Sequence, residues 1–336
     1  MPVRMRDVAE RAGVSVRTVS NVVNGYVHVS ADTRARVQQA LDDLGYEVNL
    51  AARSLRSGRT GLVTLALPDL HAPYFAELAQ AVVRAADLRG WTVLIELTGG
   101  VRERELKVVT EGRPHLTDGV LLSPLSLSSQ PDLRRRSNVP LVLLGEHELG
   151  VDVDHVGIDN VAAARTAVGH LLDLGRRRVV ALGVTDALPA AGQRLRGYLE
   201  AHAERGVRPL RRLRASAPVW NRPAGADGID RVLALPGPPP DAVFAFNDTL
   251  ALGAMRALLR RGLRIPEDVA VVGIDDVAEA PFTTPPLSSV SPDLDEIAHC
   301  ALDLLDEQIG AGDGERPARE VVTGFGLAVR ASTVGG

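Results

Sequence analysis

Cysteine is nearly missing from this chain: one residue, Cys300, in 336. A lone thiol has no intrachain partner for a disulfide and cannot build a thiolate metal cluster. Lysine is as scarce, with Lys107 alone among 38 lysine and arginine residues, a bias of genome composition rather than of function. No apolar run approaches the ~20 residues that span a bilayer. The opening MPVRMRDVAERAG has no apolar stretch of the secretory type, so a cytoplasmic protein with no membrane partner is expected. Catalytic signatures are missing too: there is no GxSxG, HExxH, P-loop or CxxC. The eight histidines (His28, His71, His115, His147, His155, His170, His202 and His299) are scattered without ligand spacing. Asp275 and Asp276 are adjacent, which points their carboxylates apart rather than into one acid–base site. RRRS at 134–137 reads as a solvated loop. The expectation is a protein that is not an enzyme and takes neither metal nor cofactor.

What is present suits a small domain followed by a bilobal one. At 336 residues the chain is too long for one ordinary domain, and 45% hydrophobic against 24% charged residues allows a sizeable core. The net charge of −4 hides an asymmetry: the first 60 residues carry nine arginines against six acidic side chains. A basic head on an acidic body fits a local nucleic-acid-binding module.

The stretch RDVAERAGVSVRTVSNVVNG reads as two short helices around a tight turn. Val8, Ala9 and Ala12 recur at helical spacing, and Gly13 supplies a residue able to take positive φ. Ser15 is placed to cap the second helix, with Val19, Val22 and Val23 buried and Val16, Arg17, Ser20, Asn21 and Asn24 outward. A third helix follows Ser30, with Val37, Leu41 and Leu44 inward and Gly45 as its cap. Exposed Arg and Asn at the start of a second helix suit base reading, since Arg pairs with guanine O6 and N7 and Asn with adenine N6 and N7. The same pattern also suits a helical hairpin with a solvated polar face.

From Gly61 apolar strands alternate with amphipathic helices, the signature of parallel βαβ units. The series occurs twice, which implies two lobes and a cleft off the strand C-termini. Asn247 and Asp275 each follow an apolar run and so reach a cleft mouth, with helix or turn capping as their alternative role. Arg194, placed at the start of a helix QRLRGY, has a fork suited to vicinal hydroxyls, a carboxylate or a phosphate, with an ion pair as its alternative. Aromatics are only 3% of the chain, so Tyr74, Phe75, Trp220 and Phe246 are informative. Phe246 reads as core. Aromatic faces beside Arg, Asn and Asp suit a sugar or a nucleoside.

AERAGVSVRTVSNVVNGY, VSADTRARVQQALDDLGYEVNLAARSLRSG, VGIDNVAAARTAVGHLLDLGRRRVVALG, QRLRGY, AFNDTLALGAMRALLRRGLRIPEDVAVVGIDD and PPLSSVSPDLDEI occur in this order. Together they resemble the LacI/GalR family of bacterial transcriptional regulators over residues 4 to about 330. The resemblance implies an all-α helix-turn-helix head plus an α/β bilobal effector domain, periplasmic-binding-protein-like, with two parallel-sheet lobes. It divides the chain into a DNA-binding head at 1–48, a hinge at 49–60 and an effector-binding and dimerisation domain at 61–336. Lobe 1 is then about 61–159 and 292–320, and lobe 2 about 160–291 and 321–336.

By the same resemblance Val16, Arg17 and Asn21 choose the operator sequence, while Ser15, Thr18, Ser20 and Asn24 meet phosphates or brace the helix. The segment NLAARSLRSGRTG matches a hinge that becomes helical on DNA, with Asn49 as its cap, Arg53 on DNA and Leu55 as a minor-groove wedge. A plain linker is the bland alternative. Arg194, Asn247 and Asp275 fall on effector-contacting positions, Trp220 falls near a stacking aromatic, and Tyr74 and Phe75 complete the expected pocket. Two departures stand out: Arg4 replaces a helix-capping Thr, so the first helix is expected to start less cleanly, and Val48 replaces a Pro before the hinge.

The expected function is a sequence-specific repressor that leaves its near-palindromic double-stranded operator when a sugar-like effector binds between the lobes. Corepression and a transport-type binding protein are the alternatives. No leucine heptads follow the body, so a homodimer is expected, with the helix carrying Leu78, Val82 and Leu88 as a candidate interface.

Overall fold

The computed structural model describes residues 3–23, 26, 28–46, 59–111, 116–127, 137–145, 152–311 and 317–335. The chain separates into two compact units, residues 1–60 and 61–336. Among the described residues no helix is long and apolar enough to cross a membrane.

The first unit contains α1 (Met5–Ala12), α2 (Val16–Val23) and α3 (Ala31–Leu44). Val8, Ala9, Ala12, Val19, Val22, Val37 and Ala40 form its core. Gly13 ends α1 at φ +64, a conformation that favours glycine, and the following amides close onto the carbonyls of Ala9 and Glu10. Arg4 gives α1 no side-chain cap, while the Asp7 carboxylate accepts the Arg4 N–H at 2.8 Å, the half of a capping box that does not depend on the cap residue's side chain. Ser30 caps α3 by accepting from Thr33 N–H at 3.3 Å.

Among the described residues the second unit is built on two six-stranded sheets. The first uses β1 (Leu62–Leu67), β2 (Thr92–Leu97), β3 (Gly119–Leu122), β4 (Leu141–Leu144), β5 (Asp154–Ile158) and β11 (Glu320–Thr323). The second uses β6 (Val179–Val184), β7 (Arg214–Ser216), β8 (Ala242–Ala245), β9 (Ala270–Ile274), β10 (Ser288–Pro292) and β12 (Phe325–Ala328). Their orders, β2-β1-β3-β4-β5-β11 and β7-β6-β8-β9-β10-β12, are the same arrangement written twice. All pairings are parallel except β12 on β10. β3, β4, β8 and β9 are buried along their whole length, as strands covered by helices on both faces must be.

Helices Pro73–Asp87 and Leu294–Ala311 pack on one face of the first sheet, and Arg102–Thr110 packs on the other. Helices Asn160–Asp173, Pro189–Glu204, Arg222–Leu233 and Asp248–Arg260 enclose the second. Two of these contacts are made backbone to backbone. A Cβ on Gly253 would stand 2.0 Å from the Arg222 carbonyl, and one on Gly225 2.2 Å from that of Leu250.

Two expectations need correction. Helix Pro189–Glu204 begins before the QRLRGY segment, so Arg194 lies well inside it, not at its start. The first lobe's last segment extends to Thr323, because β11 pairs with β5 through that residue, so the expected division at 320 cuts a strand. Of the three residues that mark the candidate interface helix, Leu78 and Val82 are fully buried in their own lobe, whereas Leu88, at the helix end, is 79% exposed. The chain passes between lobes after β5, after β10 and after β11.

Candidate functional site

In the head, α2 presents its first turn to solvent. Val16 is 45% exposed, Arg17 is exposed, and Thr18 and Asn21 are half-buried. Ser15 accepts the Thr18 N–H at 3.1 Å, and the two hydroxyls lie 2.9 Å apart, which fixes the pitch of this turn. Ser20 is the exception: it is buried and does not face outward as its spacing suggested. Asn24, Asn49, Arg53 and Leu55 lie outside the described residues.

In the second unit a cavity of about 440 Å³ lies between the lobes at the C-terminal ends of both sheets. All six residues expected around a ligand line it: Tyr74, Phe75, Arg194, Trp220, Asn247 and Asp275. Tyr74 and Phe75 occupy the first turn of helix Pro73–Asp87 and meet edge to face at 5.4 Å. Trp220 comes from the turn before helix Arg222–Leu233, where its indole N–H donates to the Gly183 carbonyl at 3.0 Å. Phe246 is fully buried behind it, at 6.0 Å between ring centres, and is core as expected.

Arg194 is buried, and part of its fork is already committed. Its Nε donates to Asn160 Oδ1 at 2.8 Å and another guanidinium N–H donates to the Phe246 carbonyl. Its Cζ sits 5.1 Å from the centre of the Trp220 ring, so the cation and the indole hold each other in place. Asn247 caps helix Asp248–Arg260: its Oδ1 accepts the Leu250 N–H at 2.9 Å. It therefore fills the capping role while still lining the cavity. Asp275 follows β9 at φ +118, and Asp276, next in sequence, turns away to an ion pair with Arg330 at 2.7 Å.

Asp69, Asn160 and Ser123 line the same cavity and were missed. Each follows a strand of the first sheet, β1, β5 and β3 respectively, so the rule that ligands sit beyond strand C-termini would have found them. Asp69 uses one oxygen to accept from His71 and Ala72 N–H at 2.7 and 2.8 Å, which shapes the entry to helix Pro73–Asp87. Glu105 works at a distance. Its fully buried carboxylate accepts from Leu125 and Ser126 N–H at 2.8 and 3.0 Å and so holds the wall segment after β3. Burial pushes its carboxyl upward, against those amides.

The lobes also touch at the rim. Glu77 of the first accepts the Ala278 N–H of the second at 2.8 Å, and burial raises this carboxyl as well. Among the described residues no cluster of His, Cys, Asp or Glu is arranged to hold a metal ion. The cavity thus brings together aromatic faces from both lobes, Tyr74 and Phe75 from the first and Trp220 from the second, with the polar side chains of Asp69, Asn160, Asn247 and Asp275.

Comparison with known proteins gives this geometry its context. Residues 4–49 match the family described as bacterial regulatory proteins, lacI family, and residues 168–333 match a periplasmic binding protein-like domain. The HTH-type transcriptional regulator AscG of Escherichia coli strain K12 is 32% identical over 317 residues, covering 93% of this chain and 94% of its own. A complex of the transcriptional regulator CelR with cellobiose is 31% identical, with a TM-score of 0.72 over 98% of this chain and 99% of that one. The lac repressor dimer bound to operator and an anti-inducer is 26% identical, with a TM-score of 0.81 over 99% of each chain. A helix-turn-helix head and two periplasmic-binding-type lobes on one chain, alike from end to end, place this protein in the LacI family of bacterial transcriptional regulators.

Proposed function

We propose that this regulator is a repressor whose hold on its operator is controlled by a sugar or nucleoside bound between the lobes. The observation that carries the reading is the cavity itself, where Tyr74, Phe75 and Trp220 offer apolar faces while Asp69, Asn160, Asn247 and Asp275 offer hydrogen-bonding edges. A hydroxylated ring needs both at once. The relative captured with cellobiose and the one captured on operator with an anti-inducer support the two halves of this reading.

In this reading residues 1–48 read DNA, 49–60 form the hinge and 61–336 bind effector and dimerise. Val16, Arg17 and Asn21 contact bases, while Ser15, Thr18, Ser20 and Asn24 position α2. Asn49, Arg53 and Leu55 act at the hinge, with Leu55 wedged at the operator centre. Arg194, Asn247, Asp275, Tyr74, Phe75 and Trp220 hold the effector. The protein acts in the cytoplasm, as a homodimer, without catalysis.

A second copy would also cover the first lobe's edge. β2 ends its sheet with Ile95 and Leu97 exposed, close in sequence to exposed Leu88, and an apolar edge strand left open invites pairing. The test is a thermal-shift screen of the full chain against sugars, polyols and nucleosides, followed by operator binding with each stabilising compound. A compound that stabilises the protein and releases DNA supports the reading; one that tightens DNA binding would turn repression into corepression, and no response to any would remove the sugar or nucleoside.

A further inference from the structure

Two consecutive residues other than glycine lie in the left-handed region: Asp275 at φ +118 and Asp276 at φ +51. Such backbone is costly and persists only where its surroundings over-determine it. Here the support comes from beneath the cavity. The Asp276 N–H donates to Ser289 Oγ at 3.0 Å, and Ser289 Oγ–H donates to Asp248 Oδ1 at 2.6 Å. The Val277 N–H donates to the other Asp248 oxygen at 3.1 Å, and the Asp275 N–H to the Val290 carbonyl at 2.9 Å. Three successive amides of the turn are thus each received by a fixed acceptor. Asp248 and Ser289 are both completely buried. The carboxyl of Asp248 occupies the space that a side chain at 273 would need, since a Cβ on Gly273 would stand 2.0 Å from its Oδ1.

We propose that Asp248 and Ser289, in the room left by Gly273, are positioning residues that fix the Asp275 carboxylate in the cavity, so that ligand affinity depends on two side chains that never touch ligand. The proposal rests on the reading of the interlobe cavity as the effector site. Burial first, and then the neighbouring Asp275, raise the Asp248 carboxyl well above the usual range.

The decisive measurement is amide hydrogen exchange on the ligand-free, full-length protein. Ser289→Ala is expected to speed exchange at Asp276, and Asp248→Asn at Val277, by about tenfold or more, while Leu65 and Val180 in the two sheets keep wild-type protection. Ser289→Thr, which keeps a hydroxyl, should restore Asp276. Unchanged exchange at both amides overturns the proposal, and so does uniform loss across both sheets, including in Ser289→Thr, which would make the network part of the core alone. Calorimetry with cellobiose, D-ribose and adenosine adds the functional arm. A probe that binds wild type should bind Ser289→Ala about tenfold or more weaker and Ser289→Thr nearly normally, whereas equal affinity in Ser289→Ala overturns the proposal. If none of the three binds wild type, the sugar and nucleoside reading suffers instead, and the exchange result still decides the turn.

Discussion

Asp275 and Arg194 line one cavity yet should fail differently when removed. Arg194 donates to Asn160 and to the Phe246 carbonyl from a buried position. Arg194→Ala leaves both acceptors without that donor, so a stability loss of about 1–3 kcal/mol is expected alongside any loss of effector binding, read by urea denaturation. Asp275→Ala removes a carboxylate at the cavity edge. Operator affinity without effector should stay near wild type while the response to effector disappears, measured by fluorescence anisotropy at fixed salt because phosphate contacts are salt-dependent. Loss of operator binding in that variant would show that the residue is structural. In the head, Arg17→Ala should weaken specific binding by about 1–3 kcal/mol and relax preference at one base of each half-site in a selection from random DNA. Five of the six cavity residues were legible as scarce aromatics or as polar groups that follow an apolar run; Arg194 was singled out by its guanidinium fork, at a helix start that lies earlier in the chain. Ser20 was not, since the periodicity of one helix cannot say whether its neighbours also cover the second face.

At the scale of the element, glycine marks where helices meet. Gly253→Ala would drive a methyl into the Arg222 carbonyl, and a loss of at least about 1–3 kcal/mol is expected. Gly192, inside helix Pro189–Glu204, has no atom within 4 Å of where its Cβ would be. Gly192→Ala should therefore stabilise, by up to about 1 kcal/mol, and thermal melts of the two variants should move in opposite directions.

The same helix carries a pH dependence. His202 is fully buried, and desolvation lowers its pKa below the ordinary 6.5. As pH falls through that value the unfolded chain takes up the proton first, so this group's contribution to stability is lost on the acid side. His202→Leu should shrink the change in urea midpoint between about pH 7.5 and 5.5; an unchanged difference would assign the effect elsewhere. The long strands were readable as apolar runs. The start of this helix was not read, although Pro189 at its first turn was a usable signal. β7, β11 and β12 are three or four residues long, too short for alternation to register.

For the whole molecule, a C2 dimer presents two identical heads, so site selection should return an inverted repeat of about 14–20 base pairs. Direct repeats or asymmetric sites would contradict it. If effector favours one lobe arrangement and DNA another, each should change the other's affinity by the same factor, worth about 1–3 kcal/mol. Two-lobed architecture was visible in the doubled strand–helix series. The place where the chain leaves the first lobe for the last time was not, because β11 and β12 are separated by Gly324 alone.

Those three passages between lobes lie along one border of each sheet, where β5 adjoins β11 and β10 adjoins β12. A single connection would let one lobe swivel freely on the other, like a ball in a socket. Three side by side resist twisting and sliding and leave bending as the soft direction, as pins along one edge do for a door. On the proposed reading, an effector in the cavity would have essentially one angle through which to act, and its effect would be a stroke of defined direction rather than a general loosening.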